Sequence, residues 1–142
     1  MRNRFDRQLD LLNEKLTAMG AMCEESIALV AKALSNGDLT LAEKVRSESE
    51  TIDGMEREIE NRCMKLLLHQ QPVAKDLRQI SAALKMITDM ERIGVQTRDI
   101  AEIIIFLKGQ SVSGVAIIED MARATIKMVT QSVDAFVHKD TE

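Results

Sequence analysis

Hydrophobic residues recur every three or four positions over most of the chain, a spacing that places them on one face of an α-helix. The first stripe contains Phe5, Leu9, Leu12, Leu16, Met19, Cys23, Val30 and Ala33, with Ser26 as a polar member. The second contains Ala42, Val45, Ile52, Ile59, Cys63 and Leu66, interrupted by Ser49 and Glu56. Alternating steps of three and four favour long helices packed side by side, crossing at about 20°.

A third stripe predicts a third long helix. It contains Val73, Leu77, Ile80, Leu84, Ile87, Gly94, Ala101 and Ile105, with Glu91 and Arg98 inserted. A glycine inside a helix costs about 1 kcal/mol. We therefore expect a neighbouring helix to approach closely at Gly94.

Residues that end and begin helices separate the stripes. Gly37 is a C-terminal stop and Asp38 an N-cap. Pro72 is placed in the first turn of the third helix, where a missing N–H costs nothing. Because short loops join antiparallel neighbours, the pattern predicts an all-α, up-down antiparallel bundle of long helices.

The end of the third helix divides the chain. We expect this helix to end at Gly109 and a fourth to begin at Ser111 or Ser113. Residues 1–109 then form a three-helix bundle, and residues 110–142 form a fourth helix.

The fourth helix repeats the first. Residues 16–38 align without gaps on residues 118–140, so that Met19 matches Met121. The fourth helix is therefore interpreted as the start of a second repeat. It packs on the first bundle, pairs with a second chain, or completes its repeat with sequence beyond residue 142.

Composition and charge restrict the class of protein. The net charge is −4 and the basic residues are scattered, which argues against a nucleic-acid partner. Cys23 and Cys63 fall on apolar stripes without metal-ligand spacing, as expected of reduced core thiols. The apolar run at residues 103–107 is too short to span a bilayer. We expect a cytoplasmic protein that reaches a membrane only peripherally.

No catalytic constellation can be assembled from this sequence. With only two histidines, no Ser-His-Asp or Cys-His-Asn arrangement is available, and the glycines are not grouped into a phosphate-binding loop. We therefore do not expect an enzyme. The apolar side chains of residues 103–107 surround their helix, so some of them must face something other than the three-helix bundle. Two interpretations are open: the fourth helix covers them, or they form a homodimer contact.

The segments "ESETIDGMEREIE", "LLLHQQPVAKDLR" and "DMERIG" resemble the PhoU family, and the resemblance covers the chain. The family consists of bacterial cytoplasmic regulators of phosphate uptake and phosphate-starvation signalling, built from two tandem three-helix bundles. The resemblance implies a negative regulator with two partners: the ATPase subunit of the phosphate ABC transporter and the phosphate-response sensor histidine kinase.

The resemblance also implies a metal site. Many family members carry two acidic pairs, each with two carboxylates four residues apart, that hold multinuclear metal clusters. Here Asp53 and Glu91 match those positions, but Ser49 and Val95 replace their carboxylate partners. Asp99, one turn beyond Val95, is a possible further ligand. Iron, zinc, manganese or magnesium ions are the candidates, and the alternative function is metal storage or metal-gated sensing.

Three interpretations of Glu91 remain open: a metal ligand with Asp53, a member of an ion pair, or a solvated residue where the stripe reaches the surface. Its candidate ion-pair partners are Arg57, Arg78 and Arg92.

The leading hypothesis is an adaptor that docks its partners on the second and third helices. The residues expected at that surface are Asp53, Asp76, Arg78, Glu91 and Arg92. A third possibility is a helical scaffold recruited to another membrane-associated complex.

Overall fold

The structure, a computed structural model, describes residues 2–69, 72–110 and 113–138, with the side chains of residues 2, 3 and 69 left undescribed. Four helices account for nearly all of this part of the chain: α1 (Arg2–Asn36), α2 (Leu39–His69), α3 (Ala74–Phe106) and α4 (Val115–Val137). Successive helices run antiparallel, and the prediction of an all-α, up-down bundle is confirmed. No helix in these ranges is both long and apolar enough to cross a membrane.

The turn between α1 and α2 has the predicted chemistry. Gly37 adopts a left-handed φ of 63°, and the N–H of Asp38 donates to the carbonyl of Ala33 at 3.0 Å. The Asp38 carboxylate then accepts from the N–H of Leu41 at 3.1 Å, as an N-cap does. Stop and start signals therefore occupy adjacent residues.

Three predicted helix boundaries are corrected. Helix α3 ends at Phe106 and not at Gly109, because Lys108 already adopts a left-handed φ of 54°. Pro72 precedes α3 instead of lying in its first turn, since Val73 is the N-cap and the helix begins at Ala74. Helix α4 begins at Val115, behind Gly114 at a φ of 80°, and not at Ser113. The other predicted start, Ser111, lies outside the described residues.

Helix α1 is the central element. Among the described residues it packs against α2, α3 and α4, whereas the backbone of α4 comes close only to that of α1 and its side chains share a hollow with those of α3. The main core fills the bundle, with Leu12, Leu16, Met19, Ile52, Ile59, Ile80 and Ile87 almost wholly buried, and both cysteines are buried as predicted. Burial raises the pKa of the Cys23 thiol to about 12 and that of Cys63 to about 11.

The buried stripe of α3 differs from the predicted one. Its buried positions are Asp76, Gln79, Ile80, Ala83, Ile87, Met90, Gly94, Thr97, Ala101 and Ile104. The predicted stripe shares Ile80, Ile87, Gly94 and Ala101 with the buried one. Its other positions lie on the wrong side of these residues: it includes Glu91 and Arg98, where the structure buries Met90 and Thr97. Burying charges without partners costs several kcal/mol, so Glu91 and Arg98 stay outside the buried stripe and Met90 and Thr97 are buried in their place.

Helix α4 packs in cis on α1. The two helices run antiparallel: Ser35 donates a hydrogen bond to Glu119, and Thr130 donates one to Glu24. At Gly20 the helices approach so closely that an added Cβ would lie 2.8 Å from Cγ2 of Val133. This contact corresponds to the first of the three arrangements that the sequence left open.

Candidate functional site

The seam between α2 and α3 brings the two predicted acidic positions into one region. A Cβ built on Gly94 would lie 3.1 Å from Cγ2 of the buried Ile52, so the missing side chain permits the close helix contact that the sequence predicted. Asp53 follows Ile52 on α2, and Glu91 precedes Gly94 by three positions on α3. Both carboxylates are partly buried beside this contact.

Negative charge accumulates along the seam. The pKa of Glu56 is raised, first by burial, then by a hydrogen bond with Glu60 and by the negative charges of Glu60, Glu91 and Asp53. The apolar pattern of the second stripe identifies Glu56 only as an interruption. Its spacing of three from Asp53 and four from Glu60 was the signal that these acids share one helix face.

The residues of the seam do not fit a metal cluster. The buried Ser49 hydroxyl donates to the carbonyl of Arg46 at 2.7 Å, and Val95 offers no oxygen ligand. Asp53 is held by Arg57. Asp99 is exposed and lies 3.7 Å from Arg98. Throughout residues 2–69, 72–110 and 113–138, no three His, Cys, Asp or Glu side chains are arranged to hold a metal ion.

Glu91 is partly buried at the edge of the seam, outside the buried stripe of α3. Among the described side chains none lies within ion-pair distance of it. Arg57 binds Asp53 instead, and neither Arg78 nor Arg92 pairs with it. The interpretation of Glu91 as an ion-paired residue is therefore wrong for this structure. It faces the negative charge of Glu56 instead. Glu91 is therefore one of the carboxylates that make the seam acidic.

The predicted docking residues divide into two groups. Asp76 is only 2% exposed, so the structure corrects its placement: a buried carboxylate cannot touch a docking partner. Arg78 and Arg92 are exposed. They are fourteen positions apart, which puts them about 21 Å apart along the helix and within about 40° of one face. Lys85 is exposed midway between them, a member that the seven-residue spacing could have revealed.

The apolar end of α3 is only partly covered. Ile104 is buried against α1 and α2, whereas Ile103 is 55% exposed and Phe106 is 83% exposed. Within the described ranges the backbone of α4 does not come close to that of α3, and the exposure of these two side chains shows that α4 does not cover them. The interpretation in which α4 covers the whole run is therefore wrong.

Two charged features thus flank α3: an acidic seam toward α2, and a basic outer face where Arg78, Lys85 and Arg92 outnumber the exposed Asp89. Four long antiparallel helices with these features define the class of up-and-down bundles that present charged helix faces.

The family model for the PhoU domain matches residues 16–104. The chain belongs to the PhoU domain family.

Individual relatives agree with this assignment. The chain is 36% identical over 140 residues to a Clostridium acetobutylicum protein, "Phosphate-specific transport system accessory protein PhoU homolog", covering 97% of this chain and 64% of that one. A protein of the same name from Pseudomonas aeruginosa is 34% identical, with 97% and 58% covered.

A solved structure agrees with the fold. The crystal structure of PhoU from Pseudomonas aeruginosa superposes with a TM-score of 0.88 at 34% identity, over 94% of this chain and 65% of that one. The chain spans less than two thirds of the length of these curated relatives.

Proposed function

We propose that this chain is a non-enzymatic accessory protein of phosphate transport that works in the cytoplasm through protein contacts. The observation that carries the proposal is the alignment, over 97% of the chain, with relatives named phosphate-specific transport system accessory proteins. The proposed partners are the ATPase subunit of the phosphate ABC transporter and the phosphate-response sensor histidine kinase, which the protein restrains when phosphate is plentiful.

The outer face of α3 is the proposed docking surface. Arg78, Lys85 and Arg92 project from one side of a long helix, and no ion pair within 4.0 Å engages any of them among the described residues. Arginine is favoured at interfaces because its planar guanidinium forms two hydrogen bonds to one carboxylate. An acidic surface on the partner fits this face. Glu91 lies about 100° round the helix from Arg92 and borders the surface.

Direct binding tests this proposal. The 142-residue chain is titrated by calorimetry into the transporter ATPase and, separately, into the cytoplasmic part of the sensor kinase. We expect saturable binding to at least one of them, weakened about tenfold or more by the double change of Arg78→Ala with Arg92→Ala. Paired charges at an interface are worth roughly 1 to several kcal/mol, which supports that magnitude.

Lys127→Ala is the matched control, because Lys127 is an exposed cation on α4. Its affinity should equal that of the unchanged chain. Glu91→Ala then tests the border of the surface and is expected to weaken binding less than the arginine changes. Absence of binding to both partners would refute the adaptor role of this chain.

Metal storage or metal-gated sensing is not favoured as a second function. Ser49 donates within its own helix, Val95 lacks a ligand atom and Arg57 engages Asp53, so the described acids do not form a cage.

A further inference from the structure

A polar cleft lies between the first turns of α1 and the C-terminal half of α2, with a volume of about 530 Å³. Its charged lining comprises Arg4, Arg62, Lys65 and Glu58, and Gln8 and Asn61 add two amides. All six side chains come from α1 and α2. The cleft is therefore separate from the basic outer face of α3.

The charge of this cleft opposes that of the chain. Three cationic side chains face one carboxylate, whereas the 142-residue chain carries a net charge of −4. The two amides add N–H donors of the kind that bind oxygen atoms. Guanidinium, ammonium and amide donors around one space suit a small oxyanion, since hydrogen bonds between ionised partners are about twice as strong as neutral ones.

The cations of the cleft are left incompletely paired by the protein. Nη2 of Arg62 donates to Glu58 at 3.3 Å, but Nε of Arg62 is buried and has no acceptor among the described residues. Glu58 is shared with Lys15, whose Nζ lies at 3.1 Å. Neither Arg4 nor Lys65 has an ion-pair partner within 4.0 Å in the part of the chain that the structure describes.

The other arginines of α2 are paired in the same way as Arg62, which binds Glu58 four positions earlier. Arg46 pairs with Glu43, and Arg57 pairs with Asp53, each on its own helix at a spacing of three or four. Such pairs are the ordinary state of an exposed helix face. The cleft differs in holding Arg4 and Lys65, two cations that no carboxylate among the described residues pairs with.

We propose that this cleft binds a small phosphorylated anion, either inorganic phosphate or the phosphate monoester of a small metabolite, through Arg4, Arg62 and Lys65. The assignment rests on the cleft's own chemistry, not on the proposed transport role. Glu58 opposes the anion by its charge while it orients Arg62.

Titration of inorganic phosphate into the 142-residue chain tests the site, with potassium chloride added to hold the ionic strength constant. We expect saturable binding by calorimetry. Arg62→Gln and Lys65→Gln should each weaken it at least tenfold, and Glu58→Gln should strengthen it several-fold because the opposing charge is removed. Lys127→Gln on α4 is the control, with affinity unchanged.

Two further measurements make the result decisive. Glycerol phosphate is titrated in parallel: tighter binding than inorganic phosphate identifies a metabolite monoester, and weaker binding identifies the free ion. Lys65 is exposed, so Lys65→Gln tests the site even if Arg62→Gln fails to fold, as judged by circular dichroism. Absence of saturable binding by both anions, or equal weakening by Lys127→Gln, would overturn the proposal.

Discussion

Ser26 and Glu48 form a buried polar pair between α1 and α2. Ser26 is wholly buried and donates to Oε2 of Glu48 at 3.1 Å, while Lys44 lies 3.9 Å from the same carboxylate. Burial raises the pKa of Glu48, and Glu25 adds to this, although Ser26 and Lys44 act in the opposite direction. The polar residue that interrupted the first apolar stripe therefore has a hydrogen-bonding partner on the next helix.

Glu48→Gln should stabilise the protein at neutral pH. A raised pKa in the folded state means that stability is lost as the pH rises from the ordinary value of 4.5 toward the folded-state pKa. Glutamine keeps an acceptor for Ser26 and removes the buried charge. We expect the free energy of unfolding in urea to increase by about 1 kcal/mol at pH 7, and the difference to vanish at pH 4.

Glu50→Gln is the control, since Glu50 is exposed on the same helix. It should change the free energy of unfolding by less than about 0.5 kcal/mol at either pH. A Glu48→Gln protein less stable than the unchanged chain at pH 7 would contradict the argument.

At the scale of elements, two loops meet at one end of the bundle. Gly37 and Gly109 both have positive φ, 63° and 76°, and their backbones touch. A Cβ on Gly37 would lie 2.4 Å from the carbonyl oxygen of Gly109. The α1–α2 turn and the end of α3 are therefore packed backbone against backbone, which ties the third helix to the first connection.

Gly37→Ala should destabilise the bundle by about 2 kcal/mol. The left-handed conformation costs an alanine about 1 kcal/mol or more, and the contact with Gly109 forces the loops apart. Gly54→Ala is the matched change, because Gly54 lies within α2 and nothing is within 4 Å of its added Cβ. It should stabilise by up to about 1 kcal/mol. Thermal unfolding measures the stability of both variants. A result in which both changes stabilised the protein, or both destabilised it, would refute the argument.

At the scale of the whole molecule, α4 depends on α1. The buried residues of α4 are Val129, Val133 and Phe136, which the predicted repeat aligns with Ile27, Ala31 and Leu34 of α1. Met121 is 63% exposed although its equivalent Met19 is wholly buried, so α4 leaves open the face that α1 uses in the core. The division at residues 109 and 110 stays a prediction.

The exposed end of α3 leads to a prediction of self-association. Ile103 and Phe106 are 55% and 83% exposed, and burying apolar area stabilises an interface by about 25 cal/mol per Å². If the predicted homodimer uses this end, Phe106→Ser should raise the dissociation constant about tenfold or more, measured by sedimentation equilibrium. Lys85→Ser, on the outer face of α3, should leave it unchanged. A monomeric parent chain would exclude the dimer.

The sequence by itself determined the four helices and their antiparallel order, because apolar spacing and the signals at Gly37 and Asp38 are local properties. It also predicted the close contact at Gly94. Only the tertiary structure decided which side of α3 is buried, because Leu84 and Ala83 are both apolar and either one fits the helical spacing from Ile80 to Ile87.

The fate of single charged residues was likewise decided by tertiary contacts. Asp76 is buried and Glu91 faces Glu56. Arg4 on α1 and Arg62 on α2 line the same cleft. Each of these outcomes depends on residues far apart in the chain, and periodicity along one helix carries no information about which side chains of another helix lie opposite.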